Sequence, residues 1–550
     1  MSNNLSYLLG RKGTSKILFE ELGIAEQKTG TPDAEKMEAL RNEFLVGRST
    51  VYGTVSFYDF LRPENQGKKI YVCNGSACMT AGTQKKVYDK AGALYKADEI
   101  GEMCCLGRCH ENSAFHVDGK NYSGADIDTL DKIKGGDKKT SEQYHVAHKG
   151  TPILTAPYPE FKEYYNIFAD AIKRPAAELL GELKDSGVRG RGGAGFSMAF
   201  KLESCKASVS DTKFIVCNAD EGDPGAFSDR YIMEQRPHAL LMGMMLAGYM
   251  AGANWGVIYI RGEYPESVEI VNEAVEALRK EKLLGQNILD SGFNFDFKVI
   301  KAQGAYICGE ETALLSSIEG QRPEVRVRPP YPTQKGLFNQ PTVVNNVETL
   351  ANLPFIMKNG GKAFAAIGTA KSTGTKLVSL DSYFNRPGIY EVDMGTPLSV
   401  VVNELGGGFR KPVKAMHIGG PLGGLVPVSK INDLTVDFDS FAKEGFLLGH
   451  ASVVCIPEDF PLVKYIEHLF KFTAHESCGK CFPCRLGSTR GYEMFEKAQN
   501  ENYKLSRELV TDLLDTMEAG SLCALGGGLP LPIKNALKYF DKELAPYFEK

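Results

Sequence analysis

The spacing of hydrophobic and polar residues changes period repeatedly along this chain. From about 150 to 365, apolar residues recur at helical spacing over 175–186, 236–252 and 265–283. Between these stretches lie short apolar runs at 213–218, 256–261 and 297–302. Helices taking turns with buried strands predict an α/β unit. Residues 1–60 read as helical, and T-P-D-A-E-K-M-E-A-L-R-N-E-F (31–44) has Pro32 placed for a helix start. K-I-Y-V-C (69–73) predicts a short strand. A-F-H-V-D-G-K-N-Y (114–122) predicts two strands joined at Asp118-Gly119, a hairpin pair. Lys134–Lys149 is polar and lysine-rich and predicts a linker. Residues 375–440 switch to short strands with Gly and Pro turns, a small β-rich unit. From about 445 the pattern is mostly helical.

One stretch tests the membrane question. Ala239–Ile260 runs 22 residues without a charge, but Asn254 and Gly256 punctuate it. The piece before them would span roughly 21 Å as a helix, short of a ~30 Å hydrocarbon core. The piece after them, V-I-Y-I, reads as a strand. A buried helix followed by a buried strand is the expectation, with no membrane span. The N-terminus lacks a signal-peptide apolar core, so a cytoplasmic location is expected, including the cytoplasmic face of a membrane complex. Lys and Arg total 64 against 68 Asp and Glu, a net charge of -4. No basic excess points to nucleic acid.

Cysteine placement carries more chemistry. Nine of the 13 cysteines fall in two clusters. Cys478, Cys481 and Cys484 are spaced C-x2-C-x2-C in H-E-S-C-G-K-C-F-P-C-R, and Cys523 follows after 38 intervening residues. Four thiolates suit an iron–sulfur cubane or a structural zinc; free core thiols are the remaining reading. Cys73 and Cys78 (C-x4-C) and Cys105 and Cys109 (C-x3-C) form two pairs, which suits a [2Fe–2S] centre with two thiolates per iron. Zinc and a redox disulfide remain as alternatives. Choosing Cys105 leaves Cys104 a bystander. Cys205, Cys217, Cys308 and Cys455 are scattered.

The loop G-V-R-G-R-G-G-A-G-F-S-M-A-F-K (187–201) offers Gly190, Gly192, Gly193 and Gly195 for close backbone approach to a phosphate. Arg189, Arg191 and Lys201 add positive charge. It matches neither G-x-G-x-x-G nor a P-loop, and a tight turn is the alternative. V-C-N-A-D-E-G-D-P-G-A-F-S-D-R (216–230) places Asn218, Asp220, Glu221 and Asp223 at the C-terminal end of a strand, where α/β sheets bind ligands. Glu310 and Glu311, in A-Y-I-C-G-E-E-T-A-L-L, stand at a helix start and are either ligands or a helix cap. Asn345, Asn346 and Thr349, in P-T-V-V-N-N-V-E-T-L, have the same two readings.

Together, R-G-R-G-G-A-G-F, N-A-D-E-G-D-P-G, Y-I-C-G-E-E-T-A-L, N-N-V-E-T and E-S-C-G-K-C-F-P-C-R resemble the NADH-oxidising flavoprotein module of respiratory complex I (its 51-kDa-type subunit), NAD-coupled soluble hydrogenases and NAD-dependent formate dehydrogenases. V-Y-G-T-V-S-F-Y (51–58), the C-x4-C and C-L-G-R-C resemble its 24-kDa-type partner. The chain looks like a fusion of the two. The resemblance implies a multidomain α/β fold. A helical segment (1–60) leads into a thioredoxin-like [2Fe–2S] domain (61–145) and a Rossmann-like FMN/NADH domain (151–365). A ubiquitin-like β-grasp domain (366–440) and a helical [4Fe–4S] domain (441–550) complete it. It implies that Gly190, Gly192, Gly193, Lys201, Asn218, Asp220, Tyr306, Gly309, Glu310, Asn345, Asn346 and Thr349 surround FMN. It further implies that Phe196 stacks on the adenine, Glu311 faces the adenosine ribose, Arg328 and Tyr331 lie over the nucleotide, and Asp223 sits near the nicotinamide. Asp223 and Glu310 are the expected catalytic carboxylates. Ser204 aligns with a second adenine-stacking Phe of the family.

The implied activity is that of an NADH:acceptor oxidoreductase, or diaphorase, subunit. Hydride passes between NAD(H) and FMN, and single electrons then pass through the [4Fe–4S] cluster. The implied partners are other iron–sulfur subunits of a multi-subunit complex, a soluble hydrogenase or formate dehydrogenase; the alternative is the input subunit of complex I. Asp223, Glu310 and Glu311 are expected to repel a 2′-phosphate and so to favour NADH over NADPH.

Overall fold

The computed structural model describes residues 13–29 and 34–550; Pro32, the expected helix start, lies outside them. Helices Leu18–Thr29, Ala34–Phe44 and Arg48–Val55 open the chain. Ile70–Cys73 follows and pairs in parallel with Ile100–Met103 and antiparallel with Phe115–Val117. Phe115–Val117 turns back onto Lys120–Tyr122 through Asp118 and Gly119, both at positive φ (47° and 75°), the geometry a two-residue hairpin demands. These strands form a four-stranded mixed sheet.

A second, wholly parallel sheet carries the flavin motifs. Its order is Asp296–Lys301, Trp255–Ile260, Phe214–Ala219, Thr342–Asn346. Side chains alternate between its faces. Ile215, Cys217, Ile258 and Val343 meet the helix Pro237–Ala251. Val216, Val257, Tyr259 and Val344 meet the N-terminal helices through Phe19, Leu22 and Tyr58. Tyr58 and Tyr259 share Ser317 Oγ, at 2.6 and 2.8 Å, so the N-terminal segment is a layer of this core. The uncharged stretch is the expected helix and strand, buried on both sides, and among the described residues no helix is long and apolar enough to cross a membrane.

The third sheet runs Gly424–Pro427, Val413–Ile418, Ser452–Pro457, Thr375–Leu380, Gly388–Asp393, His145–Lys149. Two of its strands lie outside the β-rich stretch read from sequence. Ser452–Pro457 sits inside the sheet, parallel to Thr375–Leu380 and antiparallel to Val413–Ile418. His145–Lys149, the end of the expected linker, is an edge strand parallel to Gly388–Asp393. The chain ends in helices Leu462–Glu476, Phe482–Asn500, Arg507–Gly520 and Pro530–Tyr539. Gly491 lets the first two close up: a Cβ there would meet the Phe470 ring at 2.2 Å.

Candidate active site and metal centres

The glycine loop folds onto itself. Gly190 N donates to Phe196 O at 2.8 Å and Met198 N to Val188 O at 3.3 Å. Gly193 (φ +115°) adopts backbone that side chains resist. A Cβ on Gly192 would stand 2.9 Å from the Asn346 Cβ, so the loop presses directly on the end of the parallel sheet. Two of the expected phosphate-facing cations turn inward instead. Arg191 is fully buried, donates to Arg189 O and Thr373 O, and is pulled down to about 10 by burial. Arg189 donates to Gly195 O at 2.7 Å and stacks on Phe438. Their role is to shape the loop.

The C-terminal edge of the sheet faces this loop. Asn218 and Asn346 are register partners on neighbouring strands. Asn218 donates to Gly309 O at 2.8 Å. Asn346 accepts from Thr349 N at 3.1 Å and donates to Asp229 Oδ2 at 2.6 Å, which fixes the orientation of its amide. Thr349 Oγ1 accepts from Arg191 N at 2.8 Å and ties the loop to this edge. Among the described residues, Asp220 Oδ2 and Asn345 Nδ2 are buried without a hydrogen-bond partner. Such groups are costly unless a ligand or water completes them. Burial also raises the Asp220 carboxyl well above the ordinary range. A Gly-lined cradle beside unpaired polar atoms fits a flavin phosphate and ring.

Asp223 accepts from Tyr306 OH at 2.6 Å; burial raises its carboxyl, and His450 opposes the rise. Tyr306 N donates to Glu476 at 2.8 Å. Behind this loop lies a group that sequence reasoning missed: His450 Nε2 stands 3.1 Å from Asp229 Oδ2 and 3.7 Å from Glu221 Oε1, all three residues buried. Glu221 is a ligand candidate by its place after the strand, but its carboxylate caps Asp229 N and Arg230 N at 2.8 and 3.0 Å.

The mouth of the site is aromatic and charged. Phe196, Phe200 and Tyr331 are 50%, 60% and 53% exposed. Phe196 and Phe200 rings lie 5.6 Å apart, edge to face. Ser204, aligned with the family's second Phe, bonds Thr333 at 2.8 Å. Phe200, one turn earlier on helix Met198–Ala207, supplies an aromatic face in the same mouth; its own exposure, invisible in sequence, is the signal. Glu310 caps the helix Glu311–Ile318 through Thr312 N and Ala313 N. Lys201 pairs with Glu311 at 3.0 Å, and Arg328 spans Glu310 and Glu311 at 2.9 and 2.8 Å.

The fold gathers each cysteine set. Cys105 and Cys109 Sγ are 3.3 Å apart, with Gly107 N on Cys105 and Gly225 N on Cys109 at 3.4 and 3.2 Å. Hydrogen bonds from Cys109 and Cys73 hold the Cys105 thiol well below the ordinary range, whereas burial raises Cys104 well above it. Cys78 lies on the short helix Ser76–Ala81 just after Cys73. In the C-terminal set, Cys481 caps the helix Phe482–Asn500, and Cys484 lies in its first turn. The helix after Cys523 packs so closely that a Cβ on Gly526 would stand 2.6 Å from the Cys484 Cβ. Cys478, Cys481, Cys484 and Cys523 border one core cluster. Among the described residues no three cysteine sulfurs come within 4.8 Å of one another.

Residues 10–134 match the thioredoxin-like [2Fe-2S] ferredoxin family, 183–355 the Nuo51 FMN-binding domain, and 464–547 the NADH-ubiquinone oxidoreductase-F iron-sulfur binding region. The chain is 40% identical over 382 residues to the NADP-reducing hydrogenase subunit HndC of Solidesulfovibrio fructosivorans, covering 69% of this chain and 78% of that one. It is 40% identical over 378 residues to an NADH-quinone oxidoreductase subunit of Rhizobium meliloti, covering 68% and 89%. It superposes on a chain of an NAD+-reducing [NiFe]-hydrogenase with a TM-score of 0.85 and 28% identity, covering 98% of this chain and 95% of that one. The chain therefore belongs to the NADH dehydrogenase flavoprotein family, as an NADH-oxidising subunit that joins an FMN-binding domain to a thioredoxin-like [2Fe–2S] domain and a [4Fe–4S] region.

Proposed function

We propose that this chain is the diaphorase subunit of a soluble NAD-coupled hydrogenase or formate dehydrogenase. One observation carries the reading: the likeness to the NAD+-reducing hydrogenase chain covers 98% of this chain and 95% of that one, so it extends over all the domains joined here. Exposed apolar residues beside the C-terminal cysteines, Phe482 (67%) and Leu486 (57%), support a partner iron–sulfur subunit seated there.

FMN, when bound, accepts hydride and releases electrons singly. Gly190, Gly192, Gly193, Lys201, Asn218, Asp220, Tyr306, Gly309, Asn345, Asn346 and Thr349 form its cradle. Phe196 and Tyr331 hold the adenosine end of NADH by stacking, so that donor and acceptor meet in a fixed orientation. Asp223, oriented by Tyr306, borders the nicotinamide. Glu310 serves the site by fixing the helix that carries Glu311. Cys73, Cys78, Cys105 and Cys109 hold the [2Fe–2S] centre, and Cys478, Cys481, Cys484 and Cys523 the [4Fe–4S] cluster.

The flavin domain is Rossmann-like in its parallel sheet. The third sheet is a β-grasp domain: a hairpin (Thr375–Leu380, Gly388–Asp393), a helical turn, then a last strand, Ser452–Pro457, parallel to the first. Its unit therefore extends to about 457.

Anaerobic reconstitution tests the reading. The protein is expected to bind FMN, iron and acid-labile sulfide, and to reduce an artificial dye with NADH. Cys523→Ser is expected to abolish the [4Fe–4S] electron paramagnetic resonance signal and leave the [2Fe–2S] signal in place. Two bound zincs without flavin would overturn the reading.

A further inference from the structure

Both oxygens of Glu311 are engaged. Oε2 accepts from Lys201 Nζ at 3.0 Å and Oε1 from Arg328 Nη1 at 2.8 Å. Glu310 is engaged as well: its Oε2 takes Thr312 N and Ala313 N at 2.9 and 2.8 Å, and its Oε1 takes Arg328 Nη2 at 2.9 Å. Arg328 therefore reaches across two adjacent carboxylates with one planar head group. With Lys201 opposite, the two acids and the two bases cancel in charge.

One consequence follows from that cancellation. A carboxylate repels a phosphate only while its charge is uncompensated, and neither of these is. Each Glu311 oxygen keeps a lone pair that can still accept a ribose 2′-hydroxyl, so NADH is not excluded. The group that reaches solvent is cationic: the Arg328 side chain is one-third exposed, and its two bonds to the carboxylates leave three of its five N–H groups available. A guanidinium matches a phosphate in shape and charge, and an arginine near the ribose is a general device for admitting a 2′-phosphate.

We propose that Arg328 is a specificity-determining residue and that the site accepts NADPH as well as NADH, the 2′-phosphate binding the N–H groups of Arg328 that Glu310 and Glu311 leave free. The inference rests on the reading above that Glu311 and Arg328 border the adenosine ribose. The chemistry at the nicotinamide is unchanged. NADPH loses one hydride and becomes NADP+; two ferricyanide ions take one electron each, and one proton is released.

The test uses the reconstituted holoenzyme. Rates with ferricyanide give kcat/KM for each nucleotide, and calorimetry gives binding of ADP and of 2′,5′-ADP. The wild-type ratio of NADPH to NADH is expected to lie within about tenfold of unity, and Arg328→Gln to lower NADPH by roughly tenfold or more, the effect of one charge-assisted hydrogen bond. Whatever NADH and ADP lose in the variant, NADPH and 2′,5′-ADP should lose roughly tenfold more. If Arg328→Gln does not retain FMN, Arg328→Lys carries the same comparison, because it keeps the charge and loses the fork. A wild type that prefers NADH by about a thousandfold overturns the inference, as does an equal fall for both nucleotides in the variant. An enzyme that oxidises neither nucleotide overturns the flavin reading itself; one that oxidises NADH alone sinks only the specificity claim.

Discussion

Asp229 is the chief group that biases buried His450 toward its protonated form. Burial alone would lower its pKa; Asp229 outweighs that and lifts it to about 9, with Lys376 opposing and Glu221 assisting. Burial in turn raises Glu221 to about 8. Both shifts act in the same direction. A folded-state pKa raised from 6.5 means stability present in full below pH 6.5 and lost as pH climbs through about 9. Glu221, raised from 4.5, also costs stability as pH rises through about 8. Stability against thermal unfolding should therefore fall as pH rises between about 4.5 and 9, by a few kcal/mol at most, and His450→Gln should flatten the part of that slope above pH 6.5. An unchanged slope in the variant would remove His450 from the account. The lining proposed for the flavin cradle is legible in the sequence because its residues cluster in short motifs. His450 is not, since its partners at 221 and 229 are over two hundred residues away and meet it only through the fold. Arg191 misleads for the opposite reason: sequence displays a cation in a glycine loop but not the carbonyls that enclose it.

At the scale of elements, a fully buried ion pair helps to join the second and third sheets. Lys376, on strand Thr375–Leu380, donates to Glu348 on helix Val347–Ala351, and both side chains are fully buried. Glu348 also accepts from Leu377 N at 3.0 Å. Lys376→Met leaves that carboxylate unpaired and should destabilise the protein by about 3–5 kcal/mol, as measured by denaturant unfolding. The double variant Lys376→Met/Glu348→Leu should recover much of the loss. Strands and helices of the flavin domain are readable from their periodicity, often to within a residue or two, because both faces of that sheet are covered. His145–Lys149 is not, because all five of its residues are exposed and carry no apolar pattern. Ser452–Pro457 reads as part of the helical end because sequence order conceals that it inserts between strands formed earlier in the chain.

Across the whole molecule, the first 134 residues are bound to the rest at several points. Asp59 N and Phe60 N donate to Gly304 O and Gln303 O at 2.9 and 3.0 Å, and Tyr383 OH to Thr80 O at 2.8 Å. Cys109 receives Gly225 N on its sulfur and Ser382 N on its carbonyl, so one proposed cluster ligand touches both neighbouring units. By contrast, residues 134–141 lie exposed along the surface. Glu142 then re-enters between Arg108 and Arg230. Covalent continuity is thus the least important of the links between the two halves. Trypsin cleavage at Lys138 or Lys139 should give two fragments on a denaturing gel that still co-elute from a sizing column, and the same two pieces made as separate polypeptides should assemble unaided.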